Sequence, residues 1–341
     1  MEPILNIENL KTTFLTSNGE VQAVRGVSFH VDRGEIVGIV GESGSGKSVS
    51  SMSILRLLPD TARIDADSKI RFEGLELTTL PLKQLRELRG QKISMIFQDP
   101  MSSLNPLIPV GKQVSEMISV HHRDLSKDEL RKRTVELFQE VRIPEPEKRL
   151  KSYPHEFSGG MRQRVMIAMA LANKPDLLIA DEPTTALDVT IQDQILKQLR
   201  VLQRESGTSI IFITHDLGVV AELCQRVLVM YGGLILEEAA IDDLFAAPRH
   251  PYTLGLLRSI PALAQDKRGR LASIPGSPPD MTHPPEGCPF APRCPYARNI
   301  CAHETPPYVQ VAADHRSMCW LLQPDAPAEN NPFREEAHTH E

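Results

Sequence analysis

The sequence predicts an α/β fold with a mainly parallel sheet and helices on both faces. Three observations carry that expectation. Short β-branched runs recur along the first 245 or so residues, amphipathic stretches separate them, and a glycine-rich turn joins one such run to one such stretch. The chain has 341 residues, which suggests about two domains. Hydrophobic residues make up 41% and charged residues 24%, too apolar for disorder. A net charge of -6 and only 5% aromatics give neither the basic field nor the stacking surface that nucleic acid would need. No apolar run reaches about 18 residues, and the acidic start MEPILNIENLK lacks signal-peptide order, so a cytoplasmic location is expected.

The elements follow in order. Glu35 to Gly41 (EIVGIVG) reads as a buried strand, and Val49 to Leu58 as a helix stopped by Pro59. Lys92 to Gln98, Asp176 to Asp181, Thr208 to Thr214 and Arg226 to Tyr231 read as further strands. Ser126 followed by Glu129 is a capping box, and Leu130, Leu137, Phe138 and Val141 then share one helix face. The interval from about 98 to 164 is a helical subdomain inserted in the sheet domain. Proline marks the next change, with 16 of the 27 prolines between Pro248 and Pro332. The expected division is therefore 1–262 for the main domain, 263–323 for a proline-rich extension carrying four cysteines, and 324–341 for a disordered tail containing His338 and His340.

Gly41-Glu-Ser-Gly-Ser-Gly-Lys47-Ser48 fits G-x-x-x-x-G-K-[ST] between a strand and a helix, as a phosphate cradle requires. Backbone N–H groups of Gly41, Glu42, Ser43, Gly44, Ser45 and Gly46, and the helix start through Val49, would turn toward phosphates. Lys47 would neutralise the β- and γ-phosphates, and the Ser48 hydroxyl would ligate Mg²⁺. Asp181 ends an apolar strand and can hold the Mg²⁺ shell, while the adjacent Glu182 can orient or deprotonate an attacking water. His215 ends another strand and can reach the γ-phosphate or that water. Ser158-Gly159-Gly160, opening an apolar helix, is a second anion-binding device without a lysine, suited to a nucleotide held mainly by another subunit.

These motifs, with Gln98 and Ala186-Leu187-Asp188, occur in the order of ABC-transporter nucleotide-binding subunits, and over about residues 4 to 262 the chain resembles that family. The resemblance implies a P-loop NTPase core with an antiparallel β subdomain. It implies that Phe14 stacks on adenine, that Gln98 links Mg²⁺ to the membrane-subunit contact, and that Asp188 communicates across a head-to-tail dimer. Phe97-Gln-Asp-Pro-Met-Ser-Ser-Leu-Asn-Pro106, Phe157-Ser-Gly-Gly-Met-Arg-Gln-Arg164 and Arg249-His-Pro-Tyr-Thr253 resemble the peptide- and nickel-importer branch. That branch implies import of dipeptides or oligopeptides, with nickel as the alternative cargo. Its partners would be a second ATPase subunit (a paralogue, giving a heterodimer), two membrane-spanning permease subunits and an external substrate-binding protein. It also implies a peripheral place on the cytoplasmic face of the inner membrane. A soluble ABC ATPase acting on ribosomes or DNA fits less well, since there is one cassette, no sustained heptad and no basic tail.

Cys288, Cys294, Cys301 and Cys319 fall within 32 residues, whereas Cys224 stands apart as a small buried apolar residue. Four thiolates can hold Zn²⁺ or a [4Fe–4S] cluster, and unligated thiols or disulfides remain as alternatives. The paired C-x-x-C loops of zinc ribbons are absent, and Cys288-Pro-Phe-Ala-Pro-Arg-Cys294-Pro resembles the extension that carries a [4Fe–4S] cluster in some importer subunits.

Overall fold

The structure is a computed structural model that describes residues 2–99, 103–184, 189–260 and 273–334. Its described residues divide into two compact units: one of Phe72–Ile213 with Val31–Ile36 and the residues before Asn6, the other of Asn6–His30, Val37–Arg71 and those from Thr214 onward. The proline-marked boundary at 262 lies outside the described residues.

In the first unit three parallel strands pair in register. Ile93–Ile96 lies beside Leu177–Asp181, with Ile93 opposite Leu177 and Ile96 opposite Ala180. Leu177–Asp181 in turn lies beside Ser209–Thr214. Every residue of the last two strands is buried, as expected when helices cover both faces of a parallel sheet. The helical region comprises Val110–Ser119, Lys127–Glu140, Pro146–Arg149 and Gly159–Leu171. The Ser126 capping box forms as predicted, and Leu137, Phe138 and Val141 are buried. Helix Val189–Ser206 completes the unit.

The second unit contains the antiparallel subdomain, in which Leu5–Thr16 pairs with Ala62–Ile64. Its other ladder is mixed. Ile36–Val40 runs parallel to Arg226–Tyr231, which turns back as Leu234–Ala240 through Gly232 and Gly233, both at positive φ. A two-residue turn of that kind matches the twist of the strands it joins. The extension then adds itself to this edge: His315–Ser317 pairs antiparallel with Leu234–Ala240, and Val309–Ala312 with His315–Ser317.

Two expectations change. The first helix is Lys47–Ile54, not Val49 to Leu58. Arg56 adopts φ 49 and the chain closes a Schellman motif, with Leu57 N–H donating to Met52 O and Arg56 N–H to Ser53 O, so the helix ends before Pro59 is reached. The segment from Pro324 to Arg334 is packed rather than loose. Asn331 is fully buried and donates to Leu321 O at 2.8 Å, and Arg334 donates to Pro324 O at 2.8 Å. His338 and His340 lie outside the described residues. Among the described residues no helix is long and apolar enough to cross a membrane.

Candidate nucleotide site and cysteine cavity

In the second unit, Gly41 to Ser48 leaves the buried strand Ile36–Val40 and enters helix Lys47–Ile54. Ser43 and Gly44 are exposed at the tip of the loop, while Ser45, Gly46 and Lys47 are buried. Lys47 Nζ donates to Gly41 O and Glu42 O, both at 2.8 Å, and to Ser45 Oγ at 3.4 Å. The ammonium thus curls the loop around itself. Gly46 has φ 102, and a Cβ there would sit 2.5 Å from Ala23 O. Gly46→Ala is therefore expected to destabilise the fold by roughly 1–3 kcal/mol and displace the loop; a thermal melt and an ATP titration on the same sample check both effects.

Phe14 is half-buried on its strand opposite Ala62. His215 is exposed just beyond strand Ser209–Thr214, and the next residue, Asp216, caps helix Leu217–Leu223 by accepting Gly218 N–H at 2.8 Å. Cys224 is the buried C-cap of that helix.

In the first unit, Asp181 is buried at the end of its strand and Glu182 follows at φ 46, a left-handed conformation uncommon for a non-glycine residue. The ladder holds this turn: Glu182 N–H donates to Ile213 O at 2.9 Å. Gln98 Nε2 donates to Glu182 Oε2 at 3.2 Å, so two predicted site residues meet although 84 positions separate them. The Ser158 side chain caps helix Gly159–Leu171 by accepting Met161 N–H, leaving Ser158 and Gly159 exposed and Gly160 half-buried. From the same helix, buried Gln163 donates to Pro183 O at 2.6 Å. The sequence showed Gln163 only as part of a longer string, with no role of its own. Asp188 lies outside the described residues. A groove of about 390 Å³ beside Gln98 is lined by Met95, Phe97, Met117, Met166 and Met169 among others.

The four clustered cysteines line one small cavity with Phe290, Tyr296 and Trp320. Cys288 N–H donates to Cys301 O at 2.8 Å, tying two of their loops together. Burial pushes the Cys288 thiol up to about 11, Cys294 up to about 12 and Cys319 higher still, so these thiols are neutral and binding any cation there would release protons. Among the described residues no three His, Cys, Asp or Glu side chains are grouped to share one metal ion. Burial likewise pushes His250, at the cavity wall, down to about 3; its neutral Nδ1 accepts Tyr252 N–H at 3.0 Å.

A glycine-rich loop gripping its own lysine between a buried strand and a helix, in a chain with a buried aspartate ending a parallel strand, defines a nucleotide-hydrolysing P-loop protein. Comparison with known proteins narrows the class. The chain matches the ABC transporter family over residues 24–185 and the oligopeptide/dipeptide transporter C-terminal region over residues 236–301. It is 54% identical over 329 residues to the oligopeptide transport ATP-binding protein OppD of Bacillus subtilis, covering 96% of this chain and 92% of that one. It is 51% identical over 322 residues to the dipeptide transport ATP-binding protein DppD of the same organism, covering 94% and 95%. Among solved structures, the ATP-binding cassette MJ0796, a dimer in a post-hydrolysis state bound to ADP and Pi, superposes with a TM-score of 0.64 at 29% identity, over 70% of this chain and 98% of that one. The chain belongs to the ATP-binding subunits of the oligopeptide/dipeptide branch of ABC transporters. Its activity is ATP hydrolysis coupled to transport.

Proposed function

We propose that this subunit powers import of dipeptides or oligopeptides through separate membrane-spanning subunits, working from the cytoplasmic face of the membrane. The observation that carries the cargo class is the match of residues 236–301, which take in the first part of the extension, to the oligopeptide/dipeptide transporter C-terminal region, together with relatives OppD and DppD that are named for oligopeptide and dipeptide transport.

The residue chemistry supports the following roles. Lys47 meets the β- and γ-phosphates, and Ser48 and Asp181 offer the hard oxygen donors that Mg²⁺ takes. Glu182, held by Gln98, directs water at the γ-phosphate, His215 contacts that phosphate, and Phe14 stacks on the base. The helix start at Ser158 to Gly160, exposed at Ser158 and Gly159, suits a nucleotide held mainly by a second cassette. That second cassette is a paralogue in this reading, and Asp188 communicates with it. The methionine-rich groove beside Gln98 suits a short amphipathic helix of a permease subunit, because methionine side chains adapt to a partner's shape. An external binding protein would deliver the peptide.

The four cysteines are the residues that would hold a [4Fe–4S] cluster, whose chemistry would be to order a segment too proline-rich to build its own core. Four thiols around one cavity supply a donor set that suits such a cluster. Anaerobic purification should yield a brown protein with broad absorbance near ~400 nm and about four irons per chain. A colourless protein with one zinc, or with no metal, would overturn that part and leave the ATPase untouched.

The transport reading is tested by reconstituting the chain with permease subunits, a second ATPase subunit and a binding protein in vesicles. Peptide should stimulate ATP hydrolysis and enter the lumen, and nickel should do neither. Full-rate hydrolysis by the purified chain alone would remove the need for a heterodimer.

A further inference from the structure

Glu42, the second residue of the phosphate loop, is gripped at all three of its polar groups. Its N–H donates to Tyr252 Oη at 2.9 Å, its C=O accepts from Lys47 at 2.8 Å, and its carboxylate is forked by Arg293, with Nη1 at 2.7 Å and Nη2 at 3.1 Å. Two of the three holders lie far along the chain, and Arg293 belongs to the cysteine-bearing extension, one residue before Cys294. Arg293 is itself over-determined. Nη1 also donates to Tyr231 Oη at 3.0 Å, Nη2 to Ile274 O at 3.1 Å and Nε to Pro275 O at 2.8 Å. Its side chain is 6% exposed and that of Glu42 26%. The extension also walls the loop, since Pro278, Pro279 and Met281 share a small cavity with Glu42, Ser43 and Ser45.

A bidentate guanidinium–carboxylate pair with its remaining donors fixed is a rigid link rather than a loose surface contact. It does two things for a polyphosphate. It fixes the backbone whose N–H groups must converge on the ligand, which lowers the ordering needed on binding. It also neutralises a carboxylate that would otherwise repel the phosphates.

We propose that Arg293 is a positioning residue of the ATP site, through which the extension sets the affinity of the phosphate loop for ATP. The proposal rests on the phosphate-loop reading of Gly41 to Ser48 and on no metal in the extension. ATP affinity is read by equilibrium titration of the full chain without magnesium, so that no turnover intervenes, with thermal melting in parallel. Arg293→Ala should weaken ATP binding about ten-fold. Adding Glu42→Gln should restore affinity to within about three-fold of the parent, because the repelling charge is then gone. A residue that merely supports the fold would show no such rescue. Unchanged ATP affinity in Arg293→Ala, or a double variant no better than the single one, overturns the proposal. If Arg293→Ala does not fold, Arg293→Lys decides the same question: the ammonium keeps the charge but lacks the fork, so ATP binding should weaken several-fold in a cooperatively melting protein, and unchanged affinity is equally fatal. Lys47→Ala, titrated alongside, separates failure of this proposal from failure of the ATP-site reading, since only the latter would leave Lys47→Ala binding normally.

Discussion

Glu182→Gln is expected to lower ATP turnover by roughly 10²- to 10⁴-fold, the usual range for losing a positioned general base, while leaving ATP binding intact. The substitution keeps the shape of the side chain and can still accept the Gln98 amide bond, so the geometry survives and only the basicity is lost. The surroundings make that separation clean. Glu182 sits at φ 46, its N–H is tied to Ile213 O, and the following Pro183 O is held by Gln163. A backbone so constrained aims one side chain and does not wander when its charge changes. With a competent partner cassette present, ATP binding without hydrolysis should accumulate the closed, ATP-bound pair, because ATP has the higher affinity for that state and nothing relieves it. Steady-state ATPase assays and nucleotide retained after gel filtration read the two halves of the prediction. Unchanged turnover would remove Glu182 from the chemistry.

Much of this was legible because it is local. Gly41 to Ser48 specifies a conformation through residues that are contiguous, and a buried strand such as Ile179 and its neighbours announces itself by apolar continuity. The capping box at Ser126 and Glu129 is likewise a property of four adjacent residues, and it formed as written. Helix ends were less legible. Pro59 looked like the stop signal, yet Arg56 took the left-handed conformation that usually goes to glycine, and a Schellman motif closed the helix first.

The extension was the least legible part, for a physical reason. Its proline density describes what it cannot do, which is build a core, and says nothing about where it goes. It goes to the edge strand Leu234–Ala240, where Glu237 and Glu238 pair with Ser317 and Arg316. Those carboxylates are buried, and beside the nearby Arg226 they meet His315 and Arg316, each 78 positions away from its partner, an arrangement that exists only once those distant residues are brought together. The Arg293–Glu42 pair spans 251 positions. No periodicity or spacing rule reaches across such a gap, so neither residue stood out beyond its place in a motif.

Lys47→Ala should weaken ATP binding by roughly 10²- to 10⁴-fold, because each charge-assisted hydrogen bond contributes about 1.5–3 kcal/mol and the ammonium would make two to the phosphates. The side chain is 5% exposed and already surrounded by Gly41 O, Glu42 O and Ser45 Oγ, so the loop is shaped around a compact cation before nucleotide arrives. Removing it leaves carbonyls without their donor and lets the loop open, which adds an ordering requirement to the lost attraction. Arg at this position should not rescue binding, since the planar fork is larger than the space an ammonium occupies and cannot serve three acceptors converging on one nitrogen. Thermal melting separates this from simple unfolding: the variant should melt cooperatively and lose the upward shift that ATP confers on the parent. The comparison of nucleotides is the sharper test. If the ammonium reaches the γ-phosphate, affinity for ATP must fall further than affinity for ADP; an equal loss for both would place Lys47 at the β-phosphate alone.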